Sequence, residues 1–205
     1  NDILDFSKME AGMLKIESAP VDLGVVLDET MEIMQERATD KDLDLRLVRA
    51  ENLPSHCRSD ALRLRQILLN LLSNAVKFTS AGTVRLEAEL DGEQLKFRIR
   101  DTGIGISPDQ LANIFNPFEQ GDNSTTRRFG GSGLGLAITD HLVRLMGGTI
   151  NVDSTPDQGS CFTVCLPYIA QERRKAPRPE PLVTQTAQTT KILAGIRILV
   201  AEDID

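Results

Sequence analysis

The sequence predicts an α/β fold, because segments with a helical spacing of apolar residues are interleaved with segments that alternate with a period of two. The helical spacing is clearest over residues 60–78 and 134–146, and Asp60 is a suitable N-cap for the first of these helices. Residues 83–90 and 94–100 alternate on either side of Asp91-Gly92, which is typical of a β-hairpin. Hydrophobic residues make up 40% of the 205 residues, which is enough for a buried core.

The other predicted elements follow the same two patterns in chain order. Residues 1–17 and 22–39 have helical spacing, and Ser107-Pro108 begins a short helix with serine as cap and proline in its first turn. Strands are predicted at 43–48, 149–152, 160–166 and 196–200, and a long loop at 115–133. The predicted organisation is the end of a helix at 1–17, a domain at 18–169, a basic and proline-containing linker at 170–194, and a further strand within 195–205.

Composition and charge exclude several classes of function. The chain carries 23 Lys and Arg against 30 Asp and Glu, a net charge of −7, which argues against nucleic acid as the main partner. No apolar stretch approaches the roughly 18 residues of a membrane span, and the acidic N-terminus does not resemble a signal peptide. Because the first residue is not Met, we expect the chain to begin inside a larger protein.

The three cysteines, Cys57, Cys161 and Cys165, predict free thiols in a reducing compartment. Cys161 and Cys165 lie four residues apart in a predicted strand, so they share one face, where we expect them to be small core residues. A zinc site would need further ligands at suitable spacing, and the sequence shows none.

Gln66, Asn70, Asn74 and Lys77 form a polar stripe on the predicted helix 60–78. At about 100° per residue, the other three lie within roughly 40° of Asn70, and the apolar residues occupy the far side. An asparagine oxygen is suited to Mg²⁺, which uses few protein ligands beside substrate phosphates, and Lys77 could neutralise a phosphate. The pattern is equally compatible with an ordinary amphipathic helix whose polar edge faces solvent.

Two glycine-rich motifs precede predicted helices. In Asp101-Thr-Gly103-Ile-Gly105, the glycines allow the backbone to approach a flat ligand closely, and Asp101 could accept a hydrogen bond from an exocyclic amine such as that of adenine. This motif alone is also compatible with a simple turn. Residues 130–136, GGSGLGL, lead into a helix and can present main-chain N–H groups to a phosphate.

The second motif matches neither of two common phosphate-binding patterns. The Walker pattern requires Gly-Lys-Ser/Thr at its end, which is absent here. A Rossmann loop follows a strand directly within a strand–helix–strand unit, and no strand pattern leads into residues 130–136.

Taken together, these motifs resemble the nucleotide-binding boxes of sensor histidine kinases, which are members of the GHKL or Bergerat ATP-binding superfamily. The run from Asn70 to Thr79 resembles the N box, 101–105 the first glycine box, 115–118 the F box and 131–136 the second glycine box, in the same order and spacing. The resemblance covers residues 1–168 and implies a two-layer sandwich in which a mixed β-sheet is covered on one face by helices.

The resemblance also implies a site for ATP and Mg²⁺. Asn70 and Asn74 would bind Mg²⁺, Lys77 would contact phosphate, and Asp101 would bind the adenine N6 amine. Residues 119–130 would be a mobile lid from which Arg127 approaches the phosphates, so that Asn74, Lys77 and Arg127 form the catalytic group. The remaining nucleotide-binding residues would be Gly103, Gly105, Phe118, Gly131, Gly133, Leu134, Gly135 and Thr163, the last of which would support the adenine end.

The two ends of the chain imply a parent that is a hybrid sensor histidine kinase of the BarA/GacS type. Residues 1–12 resemble the second helix of the dimerisation hairpin, so the phosphoaccepting histidine would lie upstream. His56, in a Pro-Ser-His-Cys loop, and His141, in a helix, lack the acidic and proline-containing context of an acceptor. Residues 198–203 resemble the first strand of a receiver domain, whose phosphoaccepting aspartate would lie further on.

The same resemblance implies the partners and the location. The parent would be a homodimer anchored in the bacterial inner membrane, with this domain in the cytoplasm. Its partners would be its own dimerisation and receiver domains and a downstream phosphotransfer or response-regulator protein.

Two alternatives remain open from the sequence. Gyrases, heat-shock chaperone ATPases and MutL-type ATPases of the same superfamily activate water with a glutamate four residues before the metal-binding asparagine. Asn70 occupies that position here and cannot act as a general base. The second alternative is a regulatory or degenerate kinase that binds a partner without catalysis.

Overall fold

The computed structural model describes residues 6–7, 11–118 and 133–171, and its contacts group Asn1–Gln171 into one compact unit. The strands are β1 (Ala19–Asp22), β2 (Asp44–Arg49), β3 (His56–Ser59), β4 (Thr83–Asp91), β5 (Gln94–Asp101), β6 (Thr149–Thr155) and β7 (Gly159–Pro167). The helices are α1 (Leu23–Thr39), α2 (Ala61–Phe78), α3 (Pro108–Leu111) and α4 (Gly135–Leu145).

Five strands form one mixed sheet in the order β2-β4-β5-β7-β6. β2 and β4 are parallel, and the other neighbouring strands are antiparallel. A parallel pair requires a crossover connection, and the chain between β2 and β4 supplies it with β3 and α2. β1 and β3 pair with each other in a separate antiparallel ribbon.

The helices cover one face of this sheet. α1 contacts β2, α2 contacts β4 and β5, and α4 contacts β6 and β7. Strand residues on this face are buried and apolar, and they alternate with less buried residues on the open face. Burial of each such side chain contributes about 1.5–3 kcal/mol to folding. The buried set includes Val84, Leu86, Phe97, Ile99, Phe162 and Val164. The structure therefore confirms the two-layer sandwich and its mixed sheet.

The bounds of most elements agree with the sequence prediction. The helices predicted at 22–39, 60–78 and 134–146 are α1, α2 and α4, each within about one residue at both ends. The capping of the short helix at Ser107 is confirmed by a reciprocal hydrogen-bond pattern with Gln110. β4 and β5 form the predicted hairpin.

The predicted helix at 1–17 is wrong beyond its beginning. Phe6 and Ser7 are helical, residues 11–12 form a turn, and residues 13–18 have no regular structure. Gly12 has φ of +63°, a left-handed conformation that commonly ends a helix. Met13 fits the helical spacing of apolar residues, which is why the helix was predicted to continue. However, Met13 is 67% exposed, so it does not pack into the core and cannot stabilise a helix there.

The placement of His56 in a loop is also wrong. His56 begins β3 and pairs in register with Asp22 of β1. These strands have four residues each, which is too short for a period-two pattern to stand out. The pairing buries Val21 and Cys57 in the core, and burial raises the pKa of the Cys57 thiol to about 11.

Cys161 and Cys165 share one face of β7, as predicted, but that face is not the core. Both are only partly buried, whereas Phe162 and Val164 between them face the helices. Successive side chains of β7 point to opposite faces of the sheet, and the larger apolar residues lie on the face that the helices cover. All three cysteines are free thiols, as the sequence predicted.

Several predictions lie outside the described residues. These are the lid at 119–130 with Arg127, Gly131, the linker from residue 172 onward, and the receiver-like strand within 195–205. Within residues 6–7, 11–118 and 133–171, no helix has the length and apolar composition needed to cross a bilayer.

Candidate functional site

Helix α2 carries the polar stripe and is firmly fixed at its start. The Asp60 carboxylate caps it by accepting a hydrogen bond from the Arg63 main-chain N–H at 3.0 Å. The apolar side of α2 is buried against the sheet and α1, with the main residues being Leu64, Ile67, Leu68, Leu71, Leu72, Ala75 and Val76. Asn70, Asn74 and Lys77 are half-buried. The stripe therefore lies at the edge of the core and is not an open solvent face.

The other end of α2 is also fixed. The Lys41 ammonium donates hydrogen bonds to the carbonyls of Val76 at 2.8 Å and Lys77 at 2.9 Å, and to that of Thr79 at 3.4 Å. A cation at a helix C-terminus satisfies its last carbonyls and is attracted by the helix dipole. This contact holds the backbone from which the Lys77 side chain projects.

Lys77 itself is a partly buried cation. Its Nζ lies 4.8 Å from the centroid of the Phe78 ring, which is a favourable cation–π distance. Burial lowers the pKa of the Lys77 ammonium below its ordinary value. Burial is the cause of that shift, whereas an opposite charge close to the ammonium would shift the pKa in the other direction.

Asn70 lies where α2 meets the first turn of α4. Its side-chain Nδ2 donates a hydrogen bond to Oγ1 of Thr139 at 2.7 Å. A Cβ atom added at Gly135 would lie 2.5 Å from Asn70 Oδ1, so only glycine permits this approach of the two helices. The structure therefore brings two predicted site residues, Asn70 and Gly135, into direct proximity.

Asp101 ends β5 with its side chain on the helix-covered face, because it continues the alternation of Phe97 and Ile99. Its Oδ1 accepts a hydrogen bond from the Gly103 main-chain N–H at 2.9 Å. Burial raises the pKa of Asp101 above its ordinary value, and main-chain hydrogen bonds from Gly103 and Ser160 oppose that shift. A half-buried carboxylate of this kind is a selective acceptor for an N–H donor.

The loop after Asp101 is held between α2 and the β6–β7 turn. The Ile104 main-chain N–H donates to the Phe78 carbonyl at 3.3 Å. Gly105 has φ of +67°, and a Cβ atom there would lie 2.1 Å from the Thr155 carbonyl oxygen. The close backbone approach predicted for these glycines is thus made, but to the protein's own main chain. It places Asp101 in a fixed position relative to α2.

The structure does not bring Thr163, predicted to support the adenine end, next to Asp101. Thr163 pairs in register with Arg98, three residues before Asp101, and its side chain lies on the open face with Cys161, 3.9 Å from that sulfur. Ser160 lies next to Asp101 instead, and the sequence analysis did not single it out. It lies on the covered face, its main chain binds Asp101, and its Oγ lies 2.9 Å from Ser154 Oγ. The register of β5 against β7 determines that Ser160, and not Thr163, lies beside Asp101. The motif alone does not reveal that register.

Two predicted site residues, Phe118 and Gly133, lie on either side of residues 119–132 and contact each other. The Phe118 main-chain N–H donates a hydrogen bond to the Gly133 carbonyl at 3.1 Å. Phe118 is 66% exposed. Its backbone has a φ of +64°. Its ring makes an edge contact with Phe6 at 5.6 Å between centroids. Leu134 is 2% exposed, so its side chain is part of the core.

The donor set fits Mg²⁺ better than a thiolate- or imidazole-bound metal. Among the described residues, no group of three or more His, Cys, Asp or Glu could hold a metal. In the same part of the chain, Asn74 makes no side-chain hydrogen bond and Asn70 Oδ1 accepts none. Two half-buried amide oxygens on one side of α2 suit a hard cation that keeps waters and phosphate oxygens as its other ligands.

Comparison with known proteins agrees with this geometry. A family model described as histidine kinase-, DNA gyrase B- and HSP90-like ATPase matches residues 59–170. Sensor histidine kinase GacS of Pseudomonas protegens is 43% identical over 194 residues, which cover 91% of this chain and 21% of that protein. Signal transduction histidine-protein kinase BarA of Escherichia coli is 44% identical over 167 residues, which cover 79% of this chain and 18% of that protein.

A solved structure shows the same fold. The crystal structure of full-length ShkA in complex with AMPPNP superposes with a TM-score of 0.75 at 40% identity, covering 83% of this chain and 35% of that one. By the coverages of GacS and BarA given above, the chain spans about a fifth of the length of the curated relatives it matches. The matched residues 59–170 contain α2, Asp101 and the start of α4. The chain therefore belongs to the histidine kinase-, DNA gyrase B- and HSP90-like ATPase family, in which these relatives are histidine kinases.

Proposed function

We propose that this chain is a catalytic domain that binds Mg-ATP and transfers the γ-phosphoryl group to a histidine on a dimerisation domain of its parent protein. The main support for this proposal is that three features lie next to one another in the fold. These are the amide stripe of α2, the Asp101 carboxylate and the glycine-rich start of α4. Asn70 contacts α4, and Phe78 contacts the loop after Asp101. One nucleotide can therefore touch all three elements.

The proposed roles follow from the chemistry of each group. Asp101 accepts a hydrogen bond from the adenine N6 amine, and Asn70 and Asn74 hold Mg²⁺. When bound, Mg²⁺ neutralises charge on the phosphate oxygens. Lys77 supplies a further positive charge close to the transferred group, where a partly buried cation acts more strongly than in water. Arg127, in the lid segment, is proposed to add to that charge.

The transfer itself needs little covalent chemistry from this domain. An imidazole nitrogen of the acceptor histidine forms a bond to the γ-phosphorus as the bond to the ADP oxygen breaks, and the imidazole proton passes to solvent. The contribution of the domain is positioning and charge stabilisation. Asn70 supports transfer over hydrolysis, because an amide cannot remove a proton from water.

The parent context is part of the same proposal. The parent is a hybrid sensor kinase that forms a homodimer, is anchored in the bacterial inner membrane, and places this domain in the cytoplasm. It passes the phosphoryl group to its own receiver domain and then to a phosphotransfer or response-regulator protein. The support is the resemblance of residues 1–12 and 198–203 to a dimerisation helix and a receiver strand, and the histidine kinase names of the relatives.

Incubation of the chain with γ-labelled ATP and Mg²⁺ tests the proposal. We expect Mg-ATP binding by calorimetry, very slow hydrolysis and no acid-labile label on the chain. Adding a dimerisation domain with its histidine should produce labelling of that domain. Stoichiometric labelling of His56 or His141 would contradict the acceptor placement, and rapid steady turnover would favour a hydrolytic ATPase. No binding at millimolar Mg-ATP would favour a partner-binding module.

A further inference from the structure

We propose that Thr139 is a positioning residue that orients the side-chain amide of Asn70, so that its oxygen faces the metal and phosphate side of the site. Thr139 lies on α4, one helical turn after Gly135, and is 1% exposed. It accepts the Asn70 Nδ2 hydrogen bond at 2.7 Å. The inference rests on the proposed function, because it assigns Thr139 a role in metal-dependent nucleotide binding.

The orientation of an asparagine amide matters because its two ends have opposite character. The oxygen can bind a cation, whereas the NH₂ group donates hydrogen bonds and repels one. A half-turn about the last side-chain bond exchanges the two ends with little change in shape. A neighbour that accepts the hydrogen bond of the NH₂ group leaves the oxygen at the other end of the amide, where it can bind a cation.

The structure places a different neighbour at each end of the amide. The nitrogen contacts the buried Thr139 hydroxyl, and the oxygen lies on the side of Gly135, where an added Cβ would come within 2.5 Å. Within the described part of the chain, that oxygen accepts no hydrogen bond. The orientation thus leaves an acceptor oxygen directed at the start of α4, where the glycine-rich motif would place phosphate.

The same bond joins two segments 69 residues apart in the chain. Asn70 belongs to the helix with the amide stripe, and Thr139 belongs to the helix that follows the lid segment. Any shift of α4 against α2 would change the support for the Asn70 amide. Thr139 therefore makes the metal ligand sensitive to the position of α4.

The test uses variants of matched size. Thr139→Val keeps the volume but removes the hydroxyl, and Thr139→Ser keeps the hydroxyl. The affinity for ATP is measured by calorimetry with Mg²⁺ and again with the metal chelated. We expect Thr139→Val to weaken Mg-ATP binding by about three- to tenfold, the range of one net hydrogen bond. Metal-free ATP binding should change less than about twofold in Thr139→Val, and Thr139→Ser should retain the Mg²⁺ effect.

The outcomes separate this inference from the proposed function. If the unmutated chain does not bind Mg-ATP, the proposed function fails. If it does bind, equal losses with and without Mg²⁺ would show a packing role only and overturn the inference, as would an unchanged Mg-ATP affinity in Thr139→Val. A thermal melt of each variant checks folding. Should Thr139→Val unfold, Thr139→Ala measured against Thr139→Ser gives the same comparison.

Discussion

The Asp60 carboxylate accepts a hydrogen bond from the main-chain N–H of Glu17 at 3.0 Å while it caps α2 through Arg63. One side chain, 7% exposed, therefore ties the segment that enters the domain to the first turn of the helix with the amide stripe. The β1–β3 ribbon continues this connection, since it pairs Ala19–Asp22 with the residues just before Asp60. The segment before β1 and the start of α2 are therefore held together at Asp60.

Asp60→Ala should therefore destabilise the domain by about 2–3 kcal/mol, because it removes a helix cap and leaves a second main-chain N–H without its acceptor. Urea denaturation of the two proteins measures the change. Asp22→Ala is the matched control: Asp22 caps α1 through Val25 and also lies 3.5 Å from His56 Nε2 in an exposed pair. Because exposed pairs contribute little, its loss should cost only about 1 kcal/mol. Equal costs for the two variants would contradict a double role for Asp60.

Lys41→Met should also destabilise the domain, by about 1–3 kcal/mol. The methionine keeps most of the apolar stem but leaves the carbonyls of Val76 and Lys77 without their shared donor. Lys96→Met is a suitable control, because Lys96 pairs with Asp91 on the surface and such pairs contribute little. Chemical denaturation that ranks the two variants in the opposite order would remove the capping role of Lys41.

Asn74→Ala should leave the ligand-free stability almost unchanged and remove most Mg²⁺-dependent ATP affinity. The side chain of Asn74 makes no hydrogen bond to the residues that the structure describes, so its loss breaks no internal contact. Calorimetry with and without Mg²⁺, together with a thermal melt, measures both effects. A variant that binds Mg-ATP as tightly as the original chain would exclude Asn74 as a metal ligand.

Asp101 should give the domain a distinctive pH dependence of stability. Because burial raises its folded-state pKa above the ordinary value of 3.8, the unfolded chain ionises first as the pH rises. The contribution of Asp101 to folding is present below pH 3.8 and is lost as the pH rises through the higher folded-state pKa. Asp101→Asn does not titrate, so its stability relative to the original chain should increase across that window. A difference independent of pH in denaturation curves would show that Asp101 is not shifted in this direction.

Asp101→Asn should also weaken ATP binding and reduce discrimination against GTP. A carboxylate that pairs with the adenine amine leaves an unpaired group when guanine binds, and a charged hydrogen bond is worth about 1.5–3 kcal/mol. Competition binding of ATP and GTP to both proteins measures the preference. Equal affinities of the original chain for the two nucleotides would disprove the assignment of Asp101 to the base.

Local features were predictable from the sequence. The cap at Asp60, the extent of α2 and the polar stripe depend on residues within one helix, because hydrogen bonds and side-chain neighbours there are three or four positions apart. The hairpin of β4 and β5 is likewise determined by the alternation on either side of its turn. The motifs that mark the family lie within such local segments, and for this reason the resemblance indicated the correct fold.

Tertiary structure alone decided the contacts between distant segments. Whether Thr163 or Ser160 meets Asp101 depends on the register of β5 against β7, and a shift of one residue would exchange the two faces. The β1–β3 ribbon was missed because strands of four residues have too little pattern and are stabilised by their pairing partner. The Asn70–Thr139 bond joins residues 69 positions apart. No local preference determines such a bond, since it forms only when packing brings α2 and α4 together.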